Sequence, residues 1–124
     1  MWQTWIRRTA GVALACTMVV LGWSHGVLYV EGGSMEPALY PGDLIVYARL
    51  GRAPARGDLV VFRHDASLVV HRVVRVHSDG ALSMRGDAND AIDALPLEPV
   101  DVRGRVVAVL PAGRAAERLV SASE

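Results

Sequence analysis

Leu68-Val69-Val70-His71-Arg72-Val73-Val74-Arg75-Val76 is the stretch on which the fold reading turns. Five of its nine side chains are valine, a branched residue that packs well on a pleated surface and poorly in a helix. Outward from it, Leu59-Val60-Val61-Phe62, Leu44-Ile45-Val46-Tyr47 and Val102 to Leu110 repeat the character. The segments between them carry turn chemistry: Pro41-Gly42-Asp43, Arg56-Gly57-Asp58, Ser78-Asp79-Gly80 and Arg85-Gly86-Asp87. No stretch between Gly32 and Leu110 holds a helical period over ten residues. Short strands at this spacing predict an all-β domain, an irregular β-sandwich or barrel. Ala115 to Ser121 reads as a terminal helical turn with no chemistry.

The pattern changes upstream. Thr9 to Val30 carries no Asp, Glu or Arg, which predicts a helix from Thr9 to about Trp23, long enough to cross ~30 Å of hydrocarbon with some local thinning. Ser24-His25-Gly26 interrupts the run, and Val27-Leu28-Tyr29-Val30 reads as a strand. Trp2, Trp5 and Trp23 flank the span as interfacial anchors, and Arg7-Arg8 precede it. The positive-inside rule then puts residues 1–8 in the cytoplasm, 9–26 in the membrane as an uncleaved signal anchor, and a β-rich domain, 27–112, outside, with 113–124 as a tail. Two rivals are weaker. A signal peptide cleaved at Ala13-Leu14-Ala15 would leave the apolar run continuing past the cut, and a lipoprotein using Cys16 lacks the larger aliphatic side chain at Ala13.

Composition narrows the chemistry. The 124 residues make one domain, and 13 basic residues balance 13 acidic ones. Every basic residue is Arg, so mechanisms that need lysine are excluded: a Schiff base, a P-loop lysine, the base of a Ser/Lys dyad. No basic stripe suits a nucleic acid. The lone Cys16 excludes an intramolecular disulfide, and the histidine spacing fits no metal motif, so neither cofactor nor metal is expected.

Three places could carry chemistry. Glu31-Gly32-Gly33-Ser34-Met35-Glu36-Pro37 can bend tightly and present a hydroxyl beside free backbone N–H groups, as acyl transfer requires, although a Gly-Gly-Ser turn by itself is more often a linker. His71 sits among aliphatics in a strand, a fixed position for a general base, although a lone strand histidine is more often structural. Arg85-Gly86-Asp87-Ala88-Asn89-Asp90-Ala91-Ile92-Asp93 offers carboxylates to orient that imidazole. Asp87 and Asp93 are both eligible, and spacing does not choose between them.

The order and company of these blocks resemble the type I signal peptidases, specifically the endoplasmic-reticulum and archaeal branch, over residues 27 to 111. The resemblance rests on Ser34-Met35-Glu36-Pro37 with Gly42-Asp43, Gly57-Asp58, His71-Arg72-Val73, Gly86-Asp87-Ala88-Asn89 with Asp93, and Gly104-Arg105-Val106-Val107. That branch uses histidine where ordinary bacterial signal peptidases use lysine, in agreement with a lysine-free chain. The resemblance implies Ser34 as nucleophile, His71 as general base, Asp93 as catalytic aspartate, Asp87 as its supporting neighbour, and Met35 and Pro37 shaping the floor beside the serine. Ala88 departs from the commoner Asn, and Gly32 from the serine of many relatives. The expected function is a membrane-anchored serine endopeptidase that cuts signal peptides from secretory preproteins after a small residue at the outer bilayer surface, with accessory subunits left open. A histidine base works only when neutral, so its rate should climb as the imidazole loses its proton. Two other readings stand beside it: a catalytically idle β-domain that binds signal segments, and a peptidase dedicated to a few exported proteins. A self-cleaving Ser/Lys repressor, with a related β core, is excluded by the missing lysine.

Overall fold

The computed structural model describes residues 1–123. Helix α1, Trp2–Ser24, leads directly into strand β1, His25–Tyr29. There follow β2 (Leu44–Ala48), β3 (Leu59–His64), β4 (Ser67–Val76), β5 (Leu82–Arg85), a 3-10 turn at Pro99–Asp101, β6 (Val102–Leu110) and helix α2 (Ala112–Ala122). All six strands join in one antiparallel sheet of order β1-β2-β6-β3-β4-β5. The domain is mostly β behind an apolar N-terminal helix, as the sequence predicts.

Several bounds differ from expectation for local reasons. Helix α1 begins well before Thr9, since Trp2 to Arg8 contains no helix breaker, and it stops at Ser24, so that His25 and Gly26 already pair with Ala48 and Tyr47. Gly26 is required there: a Cβ would come within 2.2 Å of the Tyr47 ring. Strand β5 is short and sits inside a turn-rich stretch, which hides it from a pattern search. Helix α2 covers more than the single turn expected, and its first residues are docked. Buried Asp43 accepts N–H groups from Tyr40 and Gly113, each at 3.0 Å, while Arg114 lies over the Tyr40 ring at 4.8 Å.

Period-two alternation divides the buried side chains between two clusters. One holds Val30, Met35, Leu39, Ile45, Tyr47, Val61 and Val70, the other Val60, Phe62, Val73, Leu82, Met84 and Leu97. Adjacent residues of one strand, Val60 and Val61, therefore serve different clusters. No residue of α1 is buried, and the helix is long and apolar enough to cross a membrane.

Candidate active site

Three separate segments meet at one point. Ser34 stands in the β1–β2 connection, where a turn of helical character starts: the Leu39 N–H donates to Met35 O at 2.9 Å, and Met35 and Leu39, one turn apart, are both buried. Those two apolar anchors hold the turn in the core and leave Ser34 half-buried at its rim. His71 projects from the middle of β4, its ring meeting the Phe62 ring edge-on at 5.7 Å between centroids. Asp93 comes from the β5–β6 connection, which returns alongside β5: the Asp93 N–H donates to Met84 O at 2.8 Å, and Leu82 and Leu97 exchange both backbone hydrogen bonds.

The side chains form a relay. Asp93 Oδ2 lies 2.7 Å from His71 Nδ1, and His71 Nε2 lies 3.3 Å from Ser34 Oγ. An ionised carboxylate only accepts, so a neutral His71 ring carries its proton on Nδ1 and turns the Nε2 lone pair to the serine hydroxyl. His71 is well shielded, at 12% side-chain exposure, with Asp93 at 28%.

Asp87 lies elsewhere. Consecutive residues on a strand point to opposite faces, so Arg72 is directed away from His71. Arg72 grips Asp87 bidentately, Nε to Oδ1 at 2.8 Å and Nη2 to Oδ2 at 2.7 Å. The Arg72 guanidinium holds the Asp87 carboxyl below the usual carboxylate range, against an opposing push from burial. A depressed folded pKa adds stability that is present above the ordinary Asp value and is lost as pH falls through the folded one. The expected result is that Asp87→Asn lowers the melting temperature at neutral pH, and that the difference closes only in acid below the ordinary Asp range. A gap that persists there would place the contribution outside this ion pair.

The loop carrying Asp87 also braces the serine. Its Ala88 N–H donates to Ser34 O at 2.9 Å, and its Asp87 N–H points to Met35 Sδ at 3.4 Å. Gly86 makes that approach possible, because a Cβ there would stand 2.6 Å from Ser34 O. Gly86→Ala should therefore displace the serine and cut any Ser34-dependent rate by ~10²-fold while leaving the fold intact, the scale of a 1 Å misplacement. Wild-type kinetics in that variant would show that the loop does not position Ser34.

Two cavities flank the relay. A groove of about 380 Å3 opens at Ser34 between Leu28 and Val30 on one wall and Leu68 and Val70 on the other, with Met35 in its lining. A flat sheet would hold β1 and β4 about 19 Å apart, four spacings of ~4.8 Å, so a shared groove means that the sheet is strongly curled. Both walls present unused backbone groups. Among the described residues β1 pairs only with β2, and β5 covers β4 only from Arg72 onward. The second cavity, about 670 Å3, lies against His71 and Asp93 and is lined by Phe62, Met84, Leu95 and Leu97. Pro37 is exposed and lines neither cavity. Among the described residues no cluster of three or more His, Cys, Asp or Glu side chains could hold a metal ion.

Arg72 and Asp43 stand in the sequence blocks that carry the resemblance without a role of their own; Arg72 is the partner of Asp87, and Asp43 ties α2 to the serine-bearing connection. The first follows from alternation along β4 once the register of β5 is known. The second depends on a contact between residues 70 positions apart, and no local pattern announces it.

A hydroxyl, an imidazole and a carboxylate thus stand in hydrogen-bonded series on a β scaffold, beside a groove with two open strand edges. The chain belongs to the Peptidase S24-like family, whose model matches residues 2–107. It is similar to the human signal peptidase complex catalytic subunit SEC11C, 34% identical over 108 residues that make up 76% of this chain and 56% of that protein. It is also similar to the signal peptidase complex catalytic subunit SEC11 of Candida dubliniensis, 34% identical over 110 residues, 77% of this chain and 66% of the relative. The same subunit of Candida albicans is 37% identical over 87 residues, 65% of this chain and 52% of the relative. The chain thus spans about half the length of most of these relatives, and within its family its likeness is to signal peptidases of the endoplasmic-reticulum type.

Proposed function

We propose that this chain is a membrane-anchored serine endopeptidase that removes signal peptides from exported proteins, with Ser34 as nucleophile, His71 as base and Asp93 as the carboxylate that orients it. The observation that carries the reading is the unbroken series Ser34–His71–Asp93 in a chain without a single lysine. The SEC11 likeness names the substrate class. Residues 1–8 then lie in the cytoplasm, α1 crosses the cell membrane, and the β domain stands outside, the arrangement favoured by Arg7 and Arg8 before the span.

The chemistry follows from the geometry. Ser34 Oγ attacks the scissile carbonyl carbon as His71 Nε2 takes the hydroxyl proton, and Asp93 stabilises the imidazolium. Charge collects on the former carbonyl oxygen. The N–H groups of Ser34 and Met35, which have no acceptor among the described residues, are available to it, and one such donor contributes about 3 kcal/mol in comparable sites. When the C–N bond breaks, His71 hands its proton to the leaving amine. Water, deprotonated by the same nitrogen, then attacks the acyl-serine, releasing the carboxylate product and restoring the hydroxyl.

The groove suits an extended peptide. The free edges of β1 and of residues 67–71 in β4 offer main-chain hydrogen bonds to a strand laid between them, and alternate side chains would point at Leu28, Val30, Met35, Leu68 and Val70. The walls are apolar and branched, so a small apolar side chain such as that of Ala is favoured beside the cut. Met35 acts here as floor; Asp87 acts on the nucleophile's loop through Ala88 and Met35. The test is a preprotein whose residue before the cut is changed from Ala to Phe. Its cleavage should slow by ~10²-fold or more, and equal rates would contradict the steric reading.

A further inference from the structure

The C-terminal end of α1 closes on one side chain. The last four carbonyls of a helix lack partners within it, here those of Leu21, Gly22, Trp23 and Ser24. Leu21 O accepts the His25 N–H and the Ser24 hydroxyl. The other three go to Arg49, the residue that follows β2. Its Nη1 donates to Gly22 O at 3.0 Å, to Trp23 O at 3.3 Å and also to His25 O, and its backbone N–H donates to Ser24 O at 2.8 Å. The guanidinium stands 5.5 Å from the Tyr47 ring centroid and forms no salt bridge among the described residues, so its charge is free to meet the negative end of the helix dipole. No residue of the helix is buried against the domain, and the one other side-chain contact at the joint is the Ser24 hydroxyl with His25 Nδ1 at 2.7 Å, among the described residues.

We propose that Arg49 is a positioning residue that locks the direction of α1 against the sheet. One guanidinium nitrogen, Nη1, reaches carbonyls on both sides of the junction, Gly22 and Trp23 in the helix and His25 in β1, so the joint cannot bend without breaking those bonds. At a membrane surface the lock is reinforced, because carbonyls released into lipid find no water. From the joint, β1 runs about 17 Å at ~3.3 Å per residue toward the Ser34 turn. A rigid joint therefore sets the height of Ser34 above the bilayer. Resting on the peptidase reading, it also sets which bond of a membrane-inserted substrate meets the serine.

The test uses the full chain in lipid vesicles. Cys16, the sole cysteine, lies exposed on α1 and takes one spin label, and Ser78→Cys in the β4–β5 turn takes the other. The distance distribution between them should be narrow with Arg49, broad in Arg49→Ala and narrower again in Arg49→Lys, which keeps a positive charge and a nitrogen donor. Should Arg49→Ala fail to fold, Arg49→Gln replaces it in both assays. A neutral variant as narrow as the parent overturns the lock. In the second assay the parent should cut a preprotein at one bond while Arg49→Ala spreads its cuts over neighbouring bonds, with hydrolysis of a short soluble peptide kept within about twofold. An unshifted cut, or loss of peptide hydrolysis, overturns the positioning role. If the parent cleaves no substrate at all, the peptidase reading fails, and the distance distribution still decides the lock.

Discussion

Ser34→Ala should lower peptide-bond hydrolysis by ~10⁴-fold or more, the scale seen when the nucleophile of a serine relay is removed. The size of the effect follows from the arrangement. Without Oγ no acyl-enzyme forms, and only a water activated by His71, together with the backbone donors, can reach the carbonyl. That water has no fixed position and loses the advantage of a tethered nucleophile. Stability should hardly change, because Ser34 is half-buried and, among the described residues, its side chain bonds only to His71 Nε2 at 3.3 Å. A melting curve unchanged alongside a lost rate would separate catalysis from folding. A surviving rate would mean that another group attacks the carbonyl.

The two aspartates make the second large contrast. Asp93→Asn keeps shape and hydrogen-bonding reach but lets the amide donate to His71 Nδ1. The ring then carries its proton on Nε2, facing Ser34, and no longer accepts the hydroxyl proton. The expected loss is ~10³–10⁴-fold, as for tautomer inversion in comparable triads. Asp87→Asn touches no atom of the relay. It weakens the bidentate grip of Arg72 and loosens the loop whose Ala88 N–H supports Ser34 O, so its effect on rate should stay near ~10-fold, with the larger change in stability. Rates measured in both variants under identical conditions decide the matter. If Asp87→Asn costs more, the orienting carboxylate has been misassigned.

The contrast between these residues shows how far the sequence alone could be read. Strand β6 was legible to the residue, Val102 to Leu110, because nine positions rich in β-branched residues lie between a proline-led turn and Pro111. β4 was nearly so. β5 was not, because the alternation of Leu82-Ser83-Met84-Arg85 runs over only four residues hemmed in by turn signals. Helix α1 was visible as a span but not in its bounds, because hydropathy marks what is apolar and not what is helical. Trp2 to Arg8 is polar enough to fall outside the apolar run while nothing in it stops a helix. The site divides in the same way. The order of Ser34, His71 and Asp93 along the chain could be matched to a family pattern. Whether Asp87 or Asp93 faces the imidazole is a matter of which side of β4 each loop residue reaches, and alternation through His71 and Arg72 settles it only once β5 and its register are known. Arg49 gave no signal, because its partners are main-chain carbonyls, whose demand is independent of residue type.

The most direct measurement places the full chain in lipid vesicles with a secretory preprotein and maps the product by mass spectrometry, for wild type, Ser34→Ala and His71→Ala. The account predicts one cut after a small residue at the end of the apolar segment by wild type, and none by either variant. Cleavage that persists in Ser34→Ala or in His71→Ala, or no cleavage by the folded wild type across several preproteins, would contradict it.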